Sequence, residues 1–301
     1  MIRWRAYRGS TMATALVSLG AFVCGAALAQ VTSIVVQDTR LGVTVPLLQI
    51  DDSAASPTPV ATLIMFTGGN GQLHLLDSDG GWQGASDLSQ VRLGPTQNFL
   101  VRQRNNFAAQ GFNIIMMDVP SDHASGYPLN NSNGNSFRRS ANHQTDIADI
   151  IAYARTTFGL PVWLVGTSRG SSSAVKGALI AAQQPTLDAP DGFVLTSTIT
   201  LDGDADNVLD MPLKDIELIA MMVANEDDAC PQSPPLGVNR IARKLLASSD
   251  FRGKLVTNDP GSPPSNVTSA EECQGDGYHG FSNAEGKVVS PISAWIIGHL
   301  P

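Results

Sequence analysis

Apolar residues in this chain fall into two kinds of run that alternate along its length. Short continuous stretches such as "VATLIMF" (Val60 to Phe66), "FNIIMMDV" (Phe112 to Val119) and "PVWLVGTS" (Pro161 to Ser168) lack polar alternation, which predicts strands buried on both faces. Ahead of them, "TSIVVQD" and "LGVTVPLLQI" predict an opening strand pair with a turn at Thr39 to Leu41. Helical spacing runs from about Gln97 to Ala109. It returns in "HQTDIADIIAYARTTFG", where Ile147, Ile150, Ile151 and Ala154 share a face and Gly159 and Pro161 supply stop signals. Beyond Ser168 the order continues as helix "SRGSSSAVKGALIAAQQ", strands "GFVLTSTIT" and "ELIAMMVA", helix "VNRIARKLLASS", strand "GKLVTN" and a final helix within "VVSPISAWIIGHL". Alternation of this kind predicts one α/β domain with a mostly parallel sheet of about eight strands and helices on both faces.

The N-terminus breaks the pattern. Arg3, Arg5 and Arg8 precede an acid-free apolar run from about Thr11 to Ala26, which closes on Ala27-Leu28-Ala29. Residues 1–29 therefore read as a signal peptide, with the α/β domain over 30–301 and an exported product, periplasmic or secreted. The run is short for a membrane span and no second one follows, so no stable membrane insertion is expected. Cys24 lacks the small residue that a lipoprotein signal places before its cysteine. Without that segment the remaining basic side chains face 27 acidic ones, a net charge of about −11, which argues against nucleic acid as a partner. Cys230 and Cys273 are then the remaining cysteines, and an even pair in an exported chain predicts a disulfide.

The stretch "LVGTSRGSSSA" (Leu164 to Ala174) places Ser168 between Gly166 and Gly170, directly after a predicted strand and ahead of a predicted helix. A serine on so sharp a turn, flanked by glycines that let strand and helix pass closely, has the setting of a nucleophile. On these residues the chain resembles the α/β-hydrolase family over nearly all of its length from about Thr32 to Leu300. The resemblance implies a triad ordered nucleophile, acid, histidine. Of the two histidines after Ser168, His279 in the loop "DGYHGF" suits the base better than His299 at the end of the last helix. The acid should follow the strand "LIAMMVA", in "NEDDACPQSPP"; the family's spacing favours Asp228, with Asp227 in reserve. An oxyanion hole would use the main-chain N–H of Arg169 and one from "TGGNG", Gly69 first and Asn70 second, although Thr67-Gly68 replaces the family's usual His-Gly start.

Other motifs carry less. "TGGNG" lacks the remainder of either phosphate-binding pattern, and Ser173 with Lys176 spells S-x-x-K without a downstream Lys-Thr-Gly. "DGDADN" (Asp202 to Asn207) imitates a calcium loop, but Asn207 and Leu213 stand where glycine and glutamate are wanted, so a solvated acidic loop is expected. Asn130 and Asn266 head glycosylation sequons, relevant only in a eukaryotic host. No metal and no organic cofactor is called for. The reading is a serine hydrolase acting on a small-molecule or polymeric ester, with a peptidase or amidase as the enzymatic alternative and a non-catalytic binding protein as the other. The short connection before "ELIAMMVA" leaves no room for a large lid, so the loops Gly71 to Thr96 and Pro120 to Asn135 should wall an open cleft, with Leu75, Leu76, Trp82 and Tyr127 as substrate contacts.

Overall fold

In this computed structural model the described residues are 31–51, 58–75, 97–123, 129, 136–264 and 272–301. The segment 1–29, Leu76, Trp82, Tyr127 and both sequon asparagines, Asn130 and Asn266, lie outside them.

The strands are β1 (Val31–Asp38), β2 (Thr44–Asp51), β3 (Ala61–Phe66), β4 (Phe112–Met117), β5 (Val162–Thr167), β6 (Gly192–Thr196), β7 (Ile219–Asn225) and β8 (Phe251–Val256). They form one sheet in the order β1-β2-β4-β3-β5-β6-β7-β8. β2 runs antiparallel to both β1 and β4, and every other pairing is parallel. This is the expected eight-stranded α/β architecture.

Period-2 alternation within the continuous runs divides the core in two. Ile64, Phe66, Val162 and Leu164 face helices α2 (Ala141–Phe158) and α3 (Gly170–Ala178), where they meet Ile147, Ile151, Ala174 and Val175. Their neighbours Leu63, Met65, Trp163 and Val165 face the opposite layer, built from α1 (Phe99–Ala108) and the C-terminal helix, here written α6 once the short helices α4 (Ile180–Gln183) and α5 (Gly237–Ala242) are counted; α6 is Gly286–Ile297. Gly159 ends α2 in the left-handed conformation at φ 65°, as the stop signal requires.

Two helices differ from the pattern. The one after Ser168 is interrupted at Leu179, so that α3 and α4 replace a continuous rod. α5 is only six residues long, shorter than the expected helix; beyond its end Leu245 is buried while Leu246 stays 77% exposed. The connection from β6 to β7 carries only two single 3₁₀ turns, Val208–Asp210 and Leu213–Asp215, and forms no large lid. No helix among the described residues is long and apolar enough to cross a membrane.

Strand order reverses around β3: the chain leaves it for β4 on one side and returns as β5 on the other, with Phe66 paired to Gly166. A crevice beyond the carboxyl ends of β3 and β5 follows from that reversal. The packing there is tight. A Cβ on Gly170 would lie 2.1 Å from the Phe66 carbonyl oxygen, whereas one on Gly286, at the start of α6, would meet nothing within 4 Å. Gly170→Ala should therefore destabilise the fold by about 3 kcal/mol or more, and Gly286→Ala should be neutral or stabilising by up to ~1 kcal/mol. Urea unfolding of the two variants checks this; equal midpoints would contradict it.

Candidate active site

Ser168 occupies the turn between β5 and α3 with φ 52°, a left-handed conformation that is strained for a residue bearing a side chain. The turn is held by a bond from the Ser168 N–H to the Thr196 carbonyl at 2.9 Å and by Ser171 N–H on the Ser168 carbonyl at 3.0 Å. Beside it lies the loop after β3. A Cβ on Gly68 would come within 2.8 Å of Ser168 Cβ, and Gly69 and Gly71 both have positive φ, at 59° and 83°. Glycine is needed there for approach at Gly68 and for backbone shape in the next turn.

Arg138, which the sequence reading passed over, lies beneath that loop. It is 1% exposed; Nη2 donates to the carbonyls of Thr67 and Gly69 at 3.1 and 3.2 Å, and Nη1 to Ser173 Oγ at 3.0 Å. Burial lowers its pKa to about 10, against a raising effect from the charge of Asp206, so it remains a cation at neutral pH. Ser173 is thereby a structural hydroxyl, also 2.9 Å from His143 Nε2, while Lys176 turns to Gln183.

The acidic turn after β7 separates its carboxylates by burial. Glu226 and Asp227 are exposed, and Asp228 is buried. Asp228 Oδ2 lies 3.0 Å from His279 Nδ1, and Oδ1 accepts the Cys230 N–H at 3.0 Å. Ser233 Oγ joins the pair, 3.0 Å from Asp228 Oδ2 and 2.9 Å from His279 Nδ1. His279 sits in the 3₁₀ turn Tyr278–Gly280, and its carbonyl accepts a 2.7 Å bond from Ser197 Oγ, itself at φ 43°. Arg102 supports this segment from α1, donating to the carbonyls of Gly275 and Gly280 and pairing with Glu285 at 2.9 Å. His299 lies elsewhere, bonded to Trp295 and Asp250.

Ser168 and His279 line one pocket of about 130 Å³ together with Gly68, Gly69, Gln97, Asn98, Phe99 and residues 273–275. Leu75, expected at its wall, is instead fully buried, its N–H held at 3.0 Å by Asp118 Oδ2. The acidic loop Asp202 to Asn207 also departs from expectation. Asp206 is buried and Asp204 half-buried, and both hold the Arg169 guanidinium at 2.8–3.0 Å, so this half of the loop is an ion pair against Arg169 while Asp202 alone stays solvated. Burial acts to depress the Arg169 pKa, but the bonds and charges of Asp206 and Asp204 raise it overall. That clamp holds the residue following Ser168.

Cys230 and Cys273 form the expected disulfide, with a Cα–Cα distance of 4.7 Å. It ties the Asp228 turn to the segment leading into His279. Asp228, Cys230 and His279 gather donor atoms within 4.8 Å, but Cys230 Sγ is consumed by the bridge and offers no thiolate to a metal.

No family model matches the sequence, and a search of curated proteins finds no match. Solved structures do match. The chain is similar to an esterase of Pyrococcus furiosus at TM-score 0.56 and 10% identity, covering 89% of this chain and 91% of that one. It is similar to Thermogutta terrifontis esterase 2, in a structure described as phosphoramylated by tabun, at TM-score 0.53 and 13% identity, covering 89% and 96%. A Pyrococcus horikoshii acylaminoacyl peptidase matches at TM-score 0.54 and 10% identity, over 90% of this chain and 42% of that one. Together with the strand order, these likenesses define the α/β-hydrolase fold.

Opening the bridge should be costly, because it closes a 43-residue separation worth about 4 kcal/mol in the chain-entropy model. A Cys230→Ser, Cys273→Ser double variant should accordingly melt lower by on the order of 10 °C. Calorimetry checks this, and an unchanged melting temperature would show that the bridge does not restrain the unfolded chain.

Proposed function

We propose that this protein is a serine hydrolase that cleaves carboxylic esters, with Ser168 as nucleophile, His279 as general base and Asp228 as the acid that orients it. The observation that carries this reading is a single pocket lined by a strained serine and by a histidine whose Nδ1 is bonded to a buried carboxylate. With the proton on Nδ1, the Nε2 lone pair is free to take the Ser168 hydroxyl proton as Oγ attacks the ester carbonyl carbon. The carbonyl electron pair becomes an oxyanion, stabilised by the main-chain N–H of Arg169 and by one from the Gly69–Asn70 loop. Its collapse expels the alcohol, which takes the proton from Nε2 of the imidazolium. Water repeats the sequence on the acyl-enzyme, releasing the acid and restoring Ser168.

The Arg169 clamp and the buried Arg138 support this assignment, since both stiffen the backbone that would face the developing charge. Solved structures named as esterases and one named as a peptidase cover this chain alike, at 89–90%, so the preference for an ester rests on chemistry: an ester's alcohol departs more easily than an amide's amine. Export fits as well: the N-terminal pattern reads as a signal, and a disulfide belongs to an oxidising compartment.

Ser168→Ala should leave the fold intact and lower kcat on p-nitrophenyl esters by several orders of magnitude, and a fluorophosphonate should label Ser168 in the native protein. Undiminished hydrolysis in the variant, or labelling elsewhere, defeats the assignment; turnover of peptide anilides in preference to esters favours the peptidase reading; no turnover of either class favours a binding protein. Asp228→Asn should cost about 10³–10⁴-fold in kcat, by analogy with loss of the orienting acid in serine proteases, while the exposed Asp227→Asn should leave kcat near the native value.

A further inference from the structure

The turn that carries Asp228 returns a serine to it five residues later. Ser233 Oγ, Asp228 Oδ2 and His279 Nδ1 form a triangle with edges of 2.9–3.0 Å, and Ser233 is 1% exposed. Two hydrogens serve its three edges, one on Oγ and one on Nδ1. Both have their best acceptor in the ionised carboxylate oxygen, which leaves an Oγ lone pair turned toward the Nδ1–H. In the opposite arrangement Ser233 donates to an unprotonated Nδ1, the ring proton moves to Nε2, and Oδ2 loses both donors inside the protein. The carboxylate therefore selects the first arrangement, and the hydroxyl reinforces it.

The serine is held as firmly as its partners. Its N–H bonds the Cys230 carbonyl at 3.1 Å, and the Cys230 N–H closes Asp228 Oδ1 at 3.0 Å. Cys230 is itself bridged to Cys273. One short turn thus presents the acid, the hydroxyl and the anchor together.

We infer that Ser233 is a positioning residue for the His279–Asp228 pair, holding the Asp228 carboxylate in its bonding orientation and keeping the imidazole proton on Nδ1, so that Nε2 is left able to accept a proton. This rests on the triad reading above. It assigns the reaction a fourth side chain that does not touch the substrate.

The test uses the full-length protein with Ser233→Ala and Ser233→Thr. In Ser233→Ala, kcat on a p-nitrophenyl ester should fall about tenfold, the scale of one hydrogen bond to a charged group, with KM unchanged. The far-downfield proton resonance of the His279 Nδ1–H should move or broaden. Ser233→Thr restores a hydroxyl and should recover most of the rate and the native resonance. A folded Ser233→Ala protein with native kcat and native resonance would overturn the inference, as would a lowered melting temperature with neither readout altered, the mark of a purely structural hydroxyl. The resonance does not depend on turnover. If Ser168→Ala keeps its activity, the triad reading fails by itself while the resonance still decides whether Ser233 positions His279.

Discussion

Where β3 and β5 lie side by side, one backbone rests directly on another, and a single methyl on Gly170 would enter the Phe66 carbonyl. The contact exists because strand order reverses at β3, so the loop leaving it and the turn leaving β5 rise from adjacent strands. Glycine at positions 68, 166 and 170 is the condition for that proximity; each would otherwise place a Cβ within 2.8 Å of its neighbour. The strain of Ser168 at φ 52° belongs to the same constraint, because the chain must turn sharply to begin α3 without leaving Phe66. Looser packing would separate the glycine loop from the serine and empty the crevice of its two walls.

Around this crossing the fold distributes buried charge in two ways. Arg169 is matched by the carboxylates of Asp204, half-buried, and Asp206, fully buried, whereas Arg138 gives its N–H groups to the Thr67 and Gly69 carbonyls and the Ser173 hydroxyl. Burying an ion is costly unless its donors are occupied, and these carbonyls occupy them. A peptide group whose oxygen is pinned has its N–H fixed on the opposite side. Arg138 thus stiffens the glycine loop from below, which offsets the backbone freedom that its glycines bring.

The eight strands and the two-layer core were legible because their signal is local: continuous apolar runs, helical spacing, Gly159 as a stop. Ser168 was legible for the same reason, since strand, turn and helix are contiguous around it. Asp228 and His279 were legible through the triad order and spacing that the family resemblance implies, and the structure brings the two side chains together; the Cys230–Cys273 bridge was legible from an even cysteine pair in a chain expected to be exported. Arg138, Arg102, Ser197 and Ser233 were not, because their bonds to the site span from 46 residues for Ser233 to 178 for Arg102, separations that no local propensity records. Asp204 and Asp206 misled for a related reason. A run of acids reads as solvated unless its cation, here 35 residues upstream, is known to lie against it. Leu75 misled as well, since an apolar residue in a glycine-rich loop gives no sign of which way it turns.

The Cys230–Cys273 bridge has a bearing on the order in which the protein assembles. Ser168, Asp228 and His279 come from segments brought together chiefly by the parallel pairing of β5 to β8 and the return of the chain ahead of α6, non-local contacts whose loop closures are slow to form. Without the bridge, the acid turn and the histidine segment would be held to each other by the Asp228 and Ser233 bonds to His279, with no covalent link beyond the chain itself. With it closed, the covalent path between Asp228 and His279 runs through the two cysteines instead of through the 51 residues of sequence that separate them, which makes their pairing a local closure.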